Sequence, residues 1–547
     1  MAKKQKIKLR PGANIGEPAA EDDFRFLSTC FVDHPAVDAL KDQSSHRCLL
    51  LGRTGTGKSA LLWHLEQTLP DVSRINPKDV AFEYIGNSPI LRTLAELGVD
   101  LHVLYEYLWT HVLTLHIIRE CLRVQSDDAL GRVVEFIKSR VLRDDRRKIA
   151  LNYLEKYGDN FWNTIEQVSS EFTESVSEQM AADAGLDVKA LKAKLSGGNA
   201  FKEEEKRLFK YRAQECVNRI QIRELKTVVE ALADSINKAP SYYVLIDDLD
   251  HQWAGEPSTQ YALIRALIDT FKTFRRISNL KIIVAMREDL YEATLRTTAD
   301  MHFQAEKRIG IIQRLTWNDA SLTALLEKRI AALFRHQYSK QAIGIADVLP
   351  PNVQQQPAAA YVLSRTLKRP RDAIAFINRI LSANEGEVLP LPARAVTKAE
   401  LLYSAERQQA LEHEWRSCHP LIHSFLSAAC DLPATFTMES FDEDRLLALA
   451  IDASDLPRQP IDDVERIART VYERNKEERF RRLSAALLAQ LYKFGVVGIK
   501  AMPGQNYTYC YDERATIADT EITSNARFQV HPMLVPALRV QSRKAAA

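Results

Sequence analysis

The chain has 547 residues, which is too long for a single hydrophobic core and predicts two to four domains. Its 74 basic and 72 acidic residues leave a net charge of +2, which excludes a global field for nucleic acid or membranes. Seven cysteines without a CxxC pair argue against a disulfide framework or a zinc site and favour reduced thiols.

The first residues, MAKKQKIKLRPG, are basic and lack the apolar segment of a signal peptide. No apolar run reaches the roughly 18 residues that a membrane-spanning helix needs. We therefore expect a cytoplasmic protein without a membrane partner, with residues 1–23 as a basic, flexible N-terminus.

The strongest motif is HRCLLLGRTGTGKSALLWHLEQ, residues 46–67, in which an apolar strand enters a glycine-rich loop and a helix leaves it. The loop matches G-x-x-x-x-G-K-[ST], where glycines let backbone amides turn toward phosphates. Lys58 is expected on the β- and γ-phosphates and the Ser59 hydroxyl on Mg²⁺. The predicted nucleotide-binding residues are Gly52, Arg53, Thr54, Gly55, Thr56, Gly57, Lys58, Ser59 and Ala60.

Between this loop and the next clear strand lies a long segment that reads as helical. Apolar residues recur at helical spacing over 101–121, and about 100–238 is predicted to be a helical insertion. Trp109, His111 and His116 are polar or aromatic enough to suggest ligands, but on so apolar a helix core packing is the better interpretation.

An apolar strand over 243–246 then runs into Asp247, Asp248 and Asp250. Neighbouring carboxylates raise one another's pKa unless a cation is near. A buried parallel strand reads as a continuous apolar run, and ligands gather at its carboxyl end. We therefore expect Asp247 to hold Mg²⁺ and Asp248 to polarise the attacking water, while Asp250 fits an N-cap as well as a catalytic role.

Further strands are predicted over 80–86, 280–287 and 308–317. The strand over 280–287 ends at Arg287, which could sense a γ-phosphate or simply pair with Glu288 or Asp289. Together these elements predict an α/β fold, a three-layer P-loop NTPase sheet.

After the sheet, an amphipathic helix near Trp317 and a loop rich in Pro and Gln precede residues 364–381. There a helix is expected to start near Arg371, with Ile374, Ile377, Ile380 and Leu381 facing inward. Arg369 and Arg371 at its start oppose the helix dipole, which makes an anionic partner physically sensible, although a plain surface cluster remains the alternative.

Residues 386–398 resemble a linker. Beyond them, two helices, a turn and a strand over 507–512 suggest a winged helix, used for DNA or for protein contacts. Arg474, Lys476, Arg479, Arg481 and Arg482 are basic, but nearby glutamates offset them, so support for DNA binding is weak.

The motifs GRTGTGKSALL, VLIDDLD, VAMRED and RPRDAIAFIN together resemble the STAND and AAA+ branch of P-loop ATPases, in particular bacterial members of largely undefined role. The resemblance covers about residues 14–385. It implies ATP and Mg²⁺ as cofactors, a catalytic set of Asp248, Arg287 (sensor 1) and Arg371 (sensor 2), and a role in bacterial defence or stress signalling. No arginine finger can be assigned in this sequence.

The expected domains are a core over 24–335, a helical lid over 336–385, and a C-terminal helical and winged-helix-like domain over 386–547. The favoured function is an ATP-driven conformational switch that acts on a protein partner or on itself. A DNA-bound ATPase is the alternative, and a pseudo-ATPase is disfavoured because Lys58, Ser59, Asp247 and Asp248 are all present.

Overall fold

The structure is a computed structural model. It describes residues 7–76, 98–121, 241–247, 249, 257–298, 309–337, 343–416, 418–456, 462–471, 476–502, 504–512, 514–518 and 521–541, with isolated positions between 174 and 233. The chain divides into two compact units. We call Asp33–Arg53 with Lys58–Leu315 the sheet unit. The helical unit is Met1–Val32, Thr54–Gly57 and Thr316–Ala547.

The elements are numbered in chain order. The α-helices are α1 (Phe24–Cys30), α2 (Pro35–Lys41), α3 (Lys58–Thr68), α4 (His102–Cys121), α5 (Pro257–Phe274), α6 (Glu288–Thr297), α7 (Asp319–Gln337), α8 (Ile345–Val348), α9 (Ala358–Leu363), α10 (Pro370–Ser382), α11 (Ala393–Trp415), α12 (Ile422–Ala428), α13 (Glu443–Ser454), α14 (Asp463–Arg469) and α15 (Lys476–Phe494). The strands are β1 (Leu49–Gly52), β2 (Val72–Ile75), β3 (Tyr242–Ile246), β4 (Leu280–Arg287), β5 (Ile312–Arg314), β6 (Asn352–Val353), β7 (Gln356–Pro357), β8 (Thr435–Phe436), β9 (Val497–Lys500) and β10 (Arg527–Val530).

The sheet unit is built on a five-stranded parallel sheet in the order β2-β3-β4-β1-β5. Every residue of β1 and β3 is buried, as the continuous apolar sequence of both strands predicts. The α/β prediction is confirmed at this level, and the strands expected over 243–246 and 280–287 are present.

The two outer strands differ from the prediction. The strand expected over 308–317 shortens to β5, and the one expected over 80–86 lies outside the described residues. β2 pairs with β3 but was not predicted. Only Ile75 of its four residues is buried, so its sequence lacks the apolar run that marks β1 and β3.

The helix expected over 101–121 is confirmed as α4, which packs against α5. Trp109 and His111 are fully buried, and the Trp109 indole N–H donates to the Leu263 carbonyl at 2.8 Å. His116 shares a hydrogen bond with the Ser73 hydroxyl at 2.7 Å. Trp109 and His111 therefore pack in the core, and His116 is a partly buried hydrogen-bonding residue. Most of the insertion predicted over 100–238 lies outside the described residues.

The described part of the N-terminus differs from the flexible segment expected there. Leu9, Ala13 and Ile15 are buried in the core of the helical unit. The Asn378 side chain accepts from the Ile15 amide at 2.8 Å and donates to the Gly16 carbonyl at 2.7 Å. The apolar residues that lie between the charged residues of this segment, together with the two Asn378 hydrogen bonds, therefore hold it against the helical unit's core and α10.

Residues 386–398 also differ from the expected linker. Leu391, Ala395 and Val396 are buried in the same hydrophobic core as α10, and α11 packs along α10. The Pro and Gly residues that suggest a linker form a tight connection between two packed helices. Within α10, the four apolar residues expected to face inward are all buried.

In the C-terminal part, helices α12 to α15 accompany a three-stranded antiparallel sheet of order β8-β10-β9. The partner of β9 is β10, and the strand expected over 507–512 is reduced to one bridge between Ile499 and Thr508. The Asp512 carboxylate accepts from the Tyr509 amide at 2.7 Å, which folds that segment into a turn.

Among the described residues, none of the helices has the length and apolar character that crossing a bilayer requires.

An ion-pair cluster joins α4 to α5. The His102 Nε2 lies 3.5 Å from Glu106 Oε1 and 3.3 Å from Asp269 Oδ2, a set that could hold a metal ion. However, Arg265 and Lys272 also lie within 3.7 and 3.4 Å of Asp269, so positive charge is already supplied. Burial lowers the pKa of His102, but hydrogen bonds to Asp269 and Glu106 outweigh burial and raise it to about 9.

We predict that His102 makes the stability pH-dependent. Its folded pKa lies above the unfolded value, so the stabilisation is complete below about pH 6.5 and is lost as the pH rises through about 9. His102→Gln should lower the free energy of unfolding near pH 6 by about 1–2 kcal/mol, allowing for solvent screening, and change it little above pH 9. Urea unfolding across this range measures the effect. His423→Gln, at a side chain that is 76% exposed, is the control. Equal pH slopes for all three proteins would contradict the prediction.

Candidate functional site

Three strand ends carry the predicted site residues of the sheet unit. β4 lies between β1 and β3, and its last residue, Arg287, is in register with Gly52 at the end of β1. Asp247 follows β3 directly. Because parallel strands end at the same edge of a sheet, the fold gathers these positions where ligands of such sheets bind.

Lys58 begins α3, directly after the glycine-rich loop, and Ser59 and Ala60 follow in the first helical turn. The Lys58 ammonium donates to the Gly52 carbonyl at 2.9 Å and to the Arg53 carbonyl at 3.2 Å. The amides of a helix start are available to an anion, and the helix dipole favours negative charge there. This end of α3 is therefore suited to a phosphate group.

Within the loop, Gly55 and Gly57 have φ of 78° and 91°, the left-handed region that favours glycine. Positive φ at these two positions is compatible with the amide orientations that anion-binding loops use. The Thr54 hydroxyl is buried and has no hydrogen-bond partner among the residues that the structure describes. Positive-φ glycines, an orphaned hydroxyl and an adjacent lysine fit a nucleotide phosphate chain chemically.

Asp247 is 6% exposed and pairs with the guanidinium of Arg74, with Nη2 2.8 Å from Oδ2. The sequence raised the question of which cation stabilises the carboxylates after β3, and Arg74 supplies one from β2. Arg74 was missed because β2 itself was not predicted. Asp248 and Asp250 lie outside the described residues, so their roles stay predictions.

Arg287 makes a two-pronged ion pair with Asp289, with Nε 3.0 Å from Oδ1 and Nη2 2.6 Å from Oδ2. Both side chains are mostly buried. The local pairing that was the alternative to phosphate sensing is therefore present, and the sensing role of Arg287 stays a prediction.

In the helical unit, Arg369 is the N-cap residue of α10 and is 4% exposed. Its guanidinium pairs with Asp372 at 2.8 Å and Glu414 at 3.0 Å, and it donates to the Thr54 carbonyl at 2.8 Å. Burial raises the pKa of Asp372, but Arg369 and Arg407 outweigh burial and hold it at about 2. Arg369 is thus a neutralised anchor and not a cation available to a ligand.

Arg371, two residues further on, differs from Arg369. None of the described residues forms an ion pair with its half-buried guanidinium, and its pKa is lowered by burial and by Arg369. Its backbone amide donates to the Gly55 carbonyl at 3.4 Å. A Cβ at Gly55 would lie 2.9 Å from the Arg371 Cβ, so the arginine packs directly on the loop. Of these two arginines, Arg371 is the one whose guanidinium has no direct ion pair among the described residues.

Sequence reasoning missed one further loop contact. The Trp317 indole N–H donates to the Thr56 carbonyl at 2.8 Å. In the sequence, Trp317 marked only the approximate start of an amphipathic helix, and no local signal relates it to a loop 261 residues away.

Comparison with known proteins gives two matches. Residues 320–412 match the family described as the FunZ-associated C-terminal helical domain, a range that includes α10 and most of α11. The chain is also similar to an Escherichia coli (strain K12) protein named "Putative transposon gamma-delta 80.3 kDa protein", with 20% identity over 534 residues. That alignment covers 95% of this chain and 66% of the relative, so the chain spans just under two thirds of the relative's length. No solved structure matches.

We predict that Arg74→Gln destabilises the fold by about 1–3 kcal/mol, because it leaves the buried Asp247 carboxylate without its guanidinium. Arg276→Gln is the matched control, since the Arg276–Glu230 pair is exposed and should matter little. Urea unfolding at neutral pH compares the variants. Addition of Asp247→Asn should restore part of the loss, and a double variant less stable than the sum of both singles would contradict this account.

Proposed function

We propose that the protein is an ATP-binding and ATP-hydrolysing P-loop NTPase that acts as a nucleotide-driven conformational switch. The observation that carries the proposal is the cation of Arg371, which lacks an ion-pair partner among the described residues and packs on Gly55 of a loop with a full phosphate-binding motif. Burial and Arg369 oppose this charge, and Glu414 and Asp372 favour it only from a distance, so a directly bound anion would stabilise it. A nucleotide phosphate is the anion that the loop's sequence favours.

In this proposal the loop amides and Lys58 hold the phosphate chain. Nucleotide binding would move the Lys58 ammonium from the Gly52 and Arg53 carbonyls to phosphate oxygens, a stronger, charge-assisted contact. Ser59 and Asp247 would ligate Mg²⁺, which would neutralise developing charge on the phosphates. Asp248 would orient and polarise the attacking water. Arg74 would hold the Asp247 carboxylate in position for this task.

The switch would come from Arg371. An ATP γ-phosphate would provide this guanidinium with a directly bound counter-charge, and hydrolysis would remove it. ATP and ADP would then favour different positions of α10, and a protein partner or a second copy of the chain would read that difference. The preference for ATP, and a role in bacterial defence or stress signalling, rest on the resemblance to STAND and AAA+ proteins alone.

The DNA-bound alternative has less support. A helix that reads a DNA groove needs an exposed face along its length. In α15, every residue from Leu483 to Leu488 is buried, and exposure is concentrated near its start, at Glu477, Glu478, Arg481 and Arg482. These two acidic and two basic side chains nearly cancel, so we favour protein contacts for this part of the chain.

Lys58→Ala tests the proposal. It should weaken ATP binding by about tenfold or more and abolish turnover, because a charge-assisted contact to phosphate is worth about 1.5–3 kcal/mol. Calorimetry with Mg²⁺ and a non-hydrolysable ATP analogue, together with phosphate release, measures both quantities. Lys272→Ala, at a side chain that is 73% exposed, should leave both unchanged. Normal affinity in Lys58→Ala would refute the phosphate-loop assignment.

Arg371→Ala should weaken ATP binding by about tenfold and ADP binding far less, since the lost contact is to the γ-phosphate. Limited proteolysis of the 340–385 segment should then show no difference between the ATP analogue and ADP, whereas wild type should show one. Arg379→Ala removes an ion-paired arginine from the other end of α10 and is the control. Equal losses for ATP and ADP would show that Arg371 does not sense the γ-phosphate.

A further inference from the structure

Three consecutive carbonyls of the glycine-rich loop accept hydrogen bonds from two other segments of the helical unit, to which residues 54–57 themselves belong. The Thr54 carbonyl accepts from Arg369 Nη1 at 2.8 Å, and the Thr56 carbonyl accepts from Trp317 Nε1 at 2.8 Å. Between them, the Gly55 carbonyl accepts from the Arg371 amide at 3.4 Å. The donors come from two places in the sequence, one shortly before α7 and the other at the start of α10.

These bonds have a direct consequence for the loop amides. In a planar trans peptide the C=O and the following N–H point in opposite directions. Fixing the carbonyls of residues 54–56 therefore directs the amides of Gly55, Thr56 and Gly57 to the opposite side of the loop. The positive φ of Gly55 and Gly57 lets these successive peptide planes take such orientations without steric strain.

The anchors are themselves held firmly. Arg369 is bound by the buried Asp372 and by Glu414, so its guanidinium has little freedom. Thr56 is 5% exposed, which keeps water from competing for its carbonyl. Trp317 packs against the same hydrophobic core that contains Leu322 of α7 and Ile377 of α10. The Trp317 and Arg369 donors are thus tied to one packed body, and a shift of that body would act on all three peptide planes together.

We infer that Trp317 and Arg369 are positioning residues that set the anion-binding conformation of the loop, so that its affinity for phosphate depends on the packing of α7 and α10. This inference rests on the proposed nucleotide function. Neither residue would contact the nucleotide, because both act through the loop carbonyls to which they donate. Their effect should therefore fall on ATP and ADP alike, because the loop amides cradle the phosphates that both nucleotides share.

Trp317→Phe tests the inference by removing one N–H while keeping an aromatic ring. It should weaken binding of both Mg²⁺–ATP analogue and Mg²⁺–ADP by about 2- to 10-fold, with the same factor for each. Two matched controls exist. Trp109→Phe removes an indole hydrogen bond to Leu263 in the sheet unit. Trp415→Phe removes a buried indole N–H that has no hydrogen-bond partner within the described part of the chain. Both should leave nucleotide affinity unchanged.

A second measurement needs no nucleotide. Trypsin cuts after Arg53 or Lys58 only when the loop opens, so Trp317→Phe should raise this cleavage rate by about 2- to 10-fold, and the two controls should not. Faster cleavage without any nucleotide binding in wild type would support the anchoring and refute the proposed function. Nucleotide binding in wild type, with unchanged affinity and cleavage in Trp317→Phe, would overturn the inference alone. A loss confined to ATP would also overturn it.

Discussion

The parallel direction of all five strands in the sheet is the constraint on which the candidate site depends. Because β1, β3 and β4 run the same way, their carboxyl ends lie at one edge, where Gly52, Asp247 and Arg287 are found. The order places β4 between β1 and β3, although β3 precedes it in the chain. Residues from distant parts of the sequence thus reach one edge without any local signal that joins them.

Paired charges inside the protein hold this arrangement together. Asp247 is matched by Arg74, Asp372 by Arg369 and Arg407, and Asp23 by Arg329. Removing one partner of a fully buried pair costs roughly 3–5 kcal/mol. Less is lost at the Asp247–Arg74 pair, because the Arg74 side chain is 35% exposed. Each pair therefore fixes the relative placement of two elements within its unit. Arg371 differs, since Glu414 and Asp372 act on it only at a distance and no described residue forms an ion pair with it, and that difference makes it a candidate for binding an anion.

The sequence predicted the elements whose burial is continuous. The sequences of β1, β3 and β4 are apolar runs because both faces of a central parallel strand are covered. The buried face of α10 was predicted correctly because four apolar residues recur at helical spacing. The prediction was wrong where burial is partial or where the chain turns. β2 buries one residue of four, and residues 386–398 combine linker-type Pro and Gly with side chains that pack into a core.

The sequence by itself determined the local chemistry: a loop that only glycines can form, the lysine and serine that follow it, and carboxylates at the end of a buried strand. The tertiary structure alone decided which group faces which. Arg74 meets Asp247 across 173 residues, Trp317 meets Thr56 across 261, and Arg369 meets Thr54 across 315. The physical reason is that a motif needs only neighbouring residues and the conformations they allow, whereas a long-range contact depends on the packing of every element between its two ends.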